Sequence, residues 1–264
     1  MHRIAYALLI VVAGAGAALA QVPPEVVKEL APTGKLRAAI NLGNSVLAQK
    51  DPGGELRGIT PDLVRELGKR AGVAVDLLPY PAAGEAFAAL KANTVDIAVL
   101  AIEPARAAEV EFSPPYVIIE GAYMVAKDAP FKGIADVDQP GIRIGVGLGS
   151  AYDLYLTRVI KNAQIVRASV GGGQASIDLY IKGGIDAAAG VRQPLVAYAK
   201  TDPKVRVMDE RFMEIQQSIG TPKGRPAAAR HVRGFIEEMK ASGFVADSLK
   251  RSNQPDAAVA PPAN

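Results

Sequence analysis

The feature that most constrains the fold is a rhythm of strands and helices that runs once, breaks at a long extended segment and then restarts. Its first run reads strand "GKLRAAINLG", helix "TPDLVRELGKRAG", strand "VAVDLLPY", helix "GEAFAALKAN" and strand "VDIAVLA". Strands joined by helices of crossover length pair in parallel, because the helix returns the chain to the end of the sheet it left. Thr60 reads as the cap of the first helix, with Pro61 in its first turn and Gly72 at its end. The run "YVIIEGAYMVAK" has no helix after it for another crossover and can carry the chain into a second lobe. The alternation then resumes with "GIRIGVG", "AYDLYLTRVIKNA", "QIVRASV", "QASIDLYIKG", "IDAAAG" and "PLVAYAKT".

The two runs also match in detail. "KLRAAINLGNS" aligns with "GIRIGVGLGSA", and "VDIAVLAIEP" with "IDAAAGVRQP", so that eight residues separate Asp96 from Pro104 and Asp186 from Pro194. A loose internal duplication accounts for both matches. The last third returns through "RFMEIQQSIGTPKG" to the helices "PAAARHVRGFIEEMKASG" and "FVADSLKRS". The expected fold is α/β: two lobes joined by two crossings, with a ligand cleft where strand ends of both lobes converge. The expected boundaries are lobe 1 at 21–117 plus 217–250, crossings at 118–121 and 208–216, lobe 2 at 122–207, and a flexible tail at 251–264. Arg106 and Arg192, each beside its proline, are candidates to face the cleft.

Composition narrows the function. The start "IAYALLIVVAGAGAALA" follows Arg3 and ends in the small-x-small step Ala18-Leu19-Ala20, which reads as a cleavable secretory signal over residues 1–20. The rival reading is a membrane anchor, since a span needs roughly 20 apolar residues. No later run is long and apolar enough, so the mature chain is expected to be free of the membrane, in a periplasm. With no cysteine there is no lipid anchor on sulfur, disulfide or thiolate metal site. A formal charge of +3, interspersed acids and bases and 5% aromatic residues exclude a nucleic-acid surface. The two histidines cannot form a metal cluster or a triad, and His231 reads as a solvated helix residue. No cofactor is implied.

In "IGVGLGSAYDLYL" a glycine-rich turn joins a strand to a helix, with Ser150 and Asp153 spaced as a capping box. Three readings stand: an anion or carboxylate nest at the helix start, a plain cap, or a dinucleotide fingerprint. The last lacks the acidic residue expected after the next strand, "QIVRAS". Arg106 has two readings: a solvated helix arginine near Glu103 and Glu111, or a bidentate clamp on a carboxylate. Arg192 is either a surface-loop arginine or a second cleft cation.

Taken in order, "GITPDLVRELGKRAG", "ALKANTVDIAVLAIEPARAAEVEFSPPY", "IGVGLGSAYDLYL" and "GGIDAAAGVRQPLVAYA" resemble the periplasmic solute-binding proteins of polar amino-acid ABC importers. The resemblance runs from about residue 33 to residue 250, and the stretch from Arg106 to "EFSPPY" is its most specific part. It implies a two-lobed periplasmic-binding-protein fold that closes on a small carboxylate-bearing solute, docks on a membrane permease and works as a monomer. It makes Arg106 the carboxylate-binding arginine and the Gly149-Ser150-Ala151 turn, with Tyr152 after it, the second carboxylate contact. Four positions depart from the family pattern: Ala101 replaces a hydroxyl residue, Asn44 and Leu47 stand where a stacking aromatic is common, and Val191 replaces the acid that meets a ligand ammonium. The expected ligand is therefore an organic acid or an atypical amino-acid-like solute rather than an ordinary zwitterionic α-amino acid. Two rivals share the resemblance. One is a dehydratase acting on a cyclic carboxylate, with Glu103, Glu120 or Asp153 as its acid; the other is a sensor that presents its ligand to a receptor.

Overall fold

The computed structural model describes residues 22–169, 171–254 and 256–263; the segment read as a signal peptide lies outside the described residues. Among the described residues no helix is long and apolar enough to cross a membrane. The first lobe opens with α1 (Pro24–Leu30), β1 (Lys35–Asn41), the small hairpin of β2 (Gln49–Lys50) and β3 (Leu56–Arg57), then α2 (Ile59–Ala71) and β4 (Ala74–Tyr80). It continues with α3 (Ala83–Lys91), β5 (Ile97–Ala101), the short α4 (Pro104–Ala107) and β6 (Val110–Phe112). The long strand β7 (Val117–Ala126) leads out of it. The second lobe holds β8 (Arg143–Gly147), α5 (Ala151–Val159), β9 (Gln164–Ala168), α6 (Gly173–Ile181), β10 (Ala187–Val191), α7 (Arg192–Ala199) and β11 (Val205–Val207). The chain returns along β12 (Met213–Pro222) to α8 (Pro226–Ala241), α9 (Phe244–Arg251) and β13 (Ala258–Val259).

Each lobe is the same parallel three-strand unit. In the first, β1 lies between β4 and β5; in the second, β8 lies between β9 and β10. All five residues of β5 and all five of β10 are buried, as expected of central strands covered on both faces. The duplication also explains the repeated aspartates. Asp96 accepts from the Arg37 backbone N–H at 3.0 Å and from its Nε at 3.0 Å, while Asp186 accepts from the same two groups of Arg143 at 2.8 and 3.2 Å. Each aspartate thus fixes the start of its own strand against the first strand of its lobe.

The lobes are connected through β7 and β12. Residues 117–121 of β7 pair antiparallel with 213–217 of β12, while the rest of β7 enters the second lobe against β10 and the rest of β12 enters the first against β5. Because each crossing strand belongs to both sheets, the hydrogen-bonded ladder runs unbroken from β4 to β9.

Two local expectations are corrected. Gly58, not Thr60, precedes α2, and the Thr60 hydroxyl instead meets the buried Tyr116 hydroxyl at 3.1 Å; Gly72 does end the helix, in the left-handed conformation at φ 69°. The tail beyond Arg251 is bound rather than loose. Ala258 and Val259 pair with Ile118 and Val117 on the β7 edge opposite β12, the Ala260 N–H reaches the Tyr116 carbonyl, and Lys240 holds the Pro261 carbonyl at 2.8 Å. Before β10 begins to pair at Gly121 that edge would be bare, and an unpaired edge attracts a strand.

Candidate functional site

Arg106 lies in α4, one turn after β5, and is 1% exposed. This excludes the solvated-helix reading. Its Nη1 donates to the Ala101 carbonyl at 3.0 Å, and its Nη2 crosses the cleft to the Gly149 carbonyl at 2.9 Å. Burial lowers its pKa to about 10, with the nearby Glu103 charge acting in the opposite direction, so the guanidinium stays charged at neutral pH. Glu103, also buried, is taken by Arg158 of α5 at 2.6 Å, an ion pair that adds a second polar link between the lobes.

Across the cleft, the Ser150 side chain caps α5 by accepting from the Asp153 N–H at 3.0 Å. The Asp153 carboxylate closes the box one residue early, on the Gly149 N–H at 2.8 Å, and is also held by the Arg167 Nε at 2.9 Å. Gly149 therefore has no N–H to offer an anion; it contributes the carbonyl that anchors Arg106. The donors left at this helix start are the Ala151 and Tyr152 N–H groups and the Ser150 hydroxyl. Tyr152 is buried, and burial raises its phenol to about 12.

Between these walls lies a cavity of about 30 Å³ lined by Asn44, Ala101, Arg106, Ser150, Ala151, Tyr152 and Val191, together with Asn41, Gly43, Ala83, Gly172, Ile215 and Gln217. An apolar cavity that binds benzene measures roughly 150 Å³. The lobes are thus nearly shut, and a larger ligand needs them farther apart. They meet on glycines: a methyl on Gly43 would come within 2.7 Å of the Gly172 Cα, and one on Gly149 within 3.2 Å of the Gly84 Cα. The Gly173 N–H also reaches the Gly43 carbonyl across the same seam.

Among the described residues of this lining Arg106 carries the only formal charge. The duplication relates its other members: Asn44 aligns with Ser150, and Ala101 with Val191. Gln217 and Ile215 were missed by the sequence reading, although both stand on one face of β12. Arg192 does not reach the cleft. Its Nε binds Glu120 of β7 at 2.6 Å and its two amino groups reach the Met208 and Asp209 carbonyls, so its donors brace the approach to β12. His231 is not a solvated residue: its Nε2 is buried without a partner, and burial together with Arg70 holds its pKa below the usual value. Among the described residues no group of three or more histidine or carboxylate side chains is placed to hold a metal ion.

Residues 36–252 fit the profile of the bacterial extracellular solute-binding proteins, family 3. The chain belongs to that family. A similar relative is the L-cystine-binding protein TcyJ of Escherichia coli (strain K12), 27% identical over 195 residues, which is 72% of this chain and 71% of the relative. Two solved structures share the fold. The solute receptor for L-cysteine of Neisseria gonorrhoeae superposes with a TM-score of 0.74 at 19% identity, over 88% of this chain and 94% of its own. The ancestral amino acid-binding protein AncCDT-1, a precursor of cyclohexadienyl dehydratase, gives 0.71 at 24% identity, over 85% and 98%.

Proposed function

We propose that this member of the family is the periplasmic solute-capturing component of an ABC importer, which closes on a small carboxylate-bearing solute and presents it to a membrane permease. The observation that carries the ligand class is a fully buried cation, Arg106, in a lining with no acid. A buried guanidinium is stabilised by a carboxylate it can grip with two parallel N–H groups, and the free N–H groups of α5 favour the same charge. One carboxylate neutralises the cavity. A zwitterion brings in addition an ammonium that would rest against Val191 with no anion to replace its hydration. The relatives named for amino acids make that class the natural competitor. Closure would turn on the paired segments of β7 and β12, which join the lobes.

The enzyme reading is weaker. Glu103 is spent on Arg158, Asp153 on Arg167 and the Gly149 N–H, and Glu120 on Arg192 and Arg211, while none of the three lines the cavity. Burial alone would raise the Glu120 carboxyl, but the two guanidiniums outweigh it and hold it below the usual carboxylate range. A general acid for dehydration has no candidate left among them.

Calorimetry on matched pairs, an amino acid against its keto acid, tests the ligand class: the keto acid is expected to bind more tightly. Arg106→Ala is expected to remove ligand-induced thermal stabilisation from a chain that still folds, a loss of about 2–5 kcal/mol of binding free energy, as for other truncated buried charge pairs. Preference for the amino acid, or undiminished binding by Arg106→Ala, would refute the reading.

A further inference from the structure

Most buried polar side chains of this protein are satisfied. Ser113 meets Ser218 at 3.0 Å, Thr60 meets Tyr116, and Ser248 donates to Asp62 at 2.6 Å. Among the described residues of the cleft one buried side-chain atom departs from this rule, and a second amide lies beside the same cavity without a hydrogen bond. Asn44 is 7% exposed and its Oδ1 is fully buried with no hydrogen-bond partner among the described residues. Gln217 is 5% exposed, lines the same cavity, and its carboxamide makes no hydrogen bond to another described residue. Asn41, the third amide in the lining, is already used: its Oδ1 accepts from the Gly43 N–H at 3.0 Å. An unmet buried amide oxygen is costly, and the Asn44 Oδ1 in a cavity that the Gln217 carboxamide also lines marks a place where a ligand supplies the missing partner.

We propose that Asn44 and Gln217 together read the second end of the bound carboxylate, and that this end is an uncharged group carrying both a donor and an acceptor, a hydroxyl or a carboxamide. The proposal rests on the carboxylate reading given above. Its chemistry follows from what two carboxamides offer. Each presents a carbonyl that needs a donor and an NH₂ that needs an acceptor. A methyl end satisfies neither. A second carboxylate supplies acceptors only, leaves the Asn44 Oδ1 unmet, and adds a charge to a cavity whose one cation is already engaged. An ammonium supplies donors only and brings an unbalanced charge. Gln217 stands on β12, which belongs to both lobes, while Asn44 sits in the turn of the first lobe that aligns with Ser150 in the second. The ligand's two ends are therefore read by different groups: Arg106 with the start of α5, and the carboxamide pair.

The test is calorimetry on the full chain with five small probes: propionate, lactate, malonamate, malonate and β-alanine. Lactate or malonamate is expected to bind at least about tenfold more tightly than the other three, since a site built to hydrogen-bond rejects analogues that lack the group. Gln217→Met, close in shape, is expected to erase that preference, and Asn44→Leu to act in the same direction. Arg106→Gln is expected to weaken all five. If wild type binds propionate as well as both lactate and malonamate, or if both amide variants keep the preference, the carboxamide pair is not the reader and the carboxylate reading survives. If none of the five binds, or Arg106→Gln changes nothing, the carboxylate reading fails and this inference fails with it.

Discussion

Gly171→Ala is a direct probe of how far the lobes close. A methyl built at Gly171 falls 2.3 Å from the Ala82 Cβ of the first lobe and 3.1 Å from the Leu148 carbonyl of its own. Carbon atoms in contact stand about 3.5–4.0 Å apart, so the two backbones must separate by roughly 1.2–1.7 Å at this point. Parting of the lobes is expected to carry Ala82 away and to leave the methyl against only the Leu148 carbonyl of its own lobe. The cost therefore falls on closure, and overpacking of this kind costs about 1–3 kcal/mol. That corresponds to affinity weakened about 5- to 150-fold. Calorimetry with whichever carboxylate binds wild type reads the loss directly, and the melting temperature of the ligand-free chain should barely move. Ala82→Gly removes the opposing methyl, so the double variant should regain most of the affinity. Undiminished binding by Gly171→Ala would mean that the liganded lobes stand farther apart than this seam allows. A loss that Ala82→Gly does not rescue would mean that the strain lies within the second lobe.

Arg158→Ala removes the partner of buried Glu103 in the closed form; because Arg158 is itself 40% exposed, ligand affinity is expected to fall only about 3- to 20-fold. Equal affinity in calorimetry would show that this ion pair does not favour closure. His231 supplies a pH test. Burial and Arg70 depress its folded pKa, so the unfolded chain takes up the proton first, and the stability linked to this group is complete above the unfolded value of about 6.5 and lost as pH falls toward the folded one. His231→Gln should flatten the fall of the melting temperature between pH 7.5 and pH 5.5 (roughly one unit either side of that value), and an unchanged slope would refute the assignment.

Much of this molecule was legible because its signals are periodic. The strand–helix rhythm, the restart after "YVIIEGAYMVAK" and the aligned Asp96 and Asp186 all depend on local chain chemistry, which a sequence displays directly. The pairing of Arg106 with Arg192 was misleading because proline is the true landmark. Arg106 lies two residues after Pro104, but Arg192 lies two before Pro194, so Arg192 aligns with Ile102 and Val196 with Arg106. That shift turns a second cleft cation into a brace on Glu120. Gln217 left a fainter trace, a polar residue in phase with the buried Ile215 and Ile219. Its role depended on facing Asn44, more than a hundred and seventy positions earlier, and only the folded chain brings them together. The tail was misread for a related reason: its partner is the edge of a strand, and composition does not reveal an edge.

The shared crossing strands also set an order of assembly. Strand β5 is flanked on one side by β1 and on the other by β12, with Val99 opposite Ile219. A chain emerging from its N-terminus can form β4, β1 and β5 early, but β5 then keeps one bare, wholly apolar edge until residues 213–222 have appeared. A strand in that condition invites pairing with another nascent copy. The first lobe to be made is thus the last to be completed, and contacts this distant in sequence close slowly. The same strands that join the two lobes leave β5 waiting longest for its second neighbour.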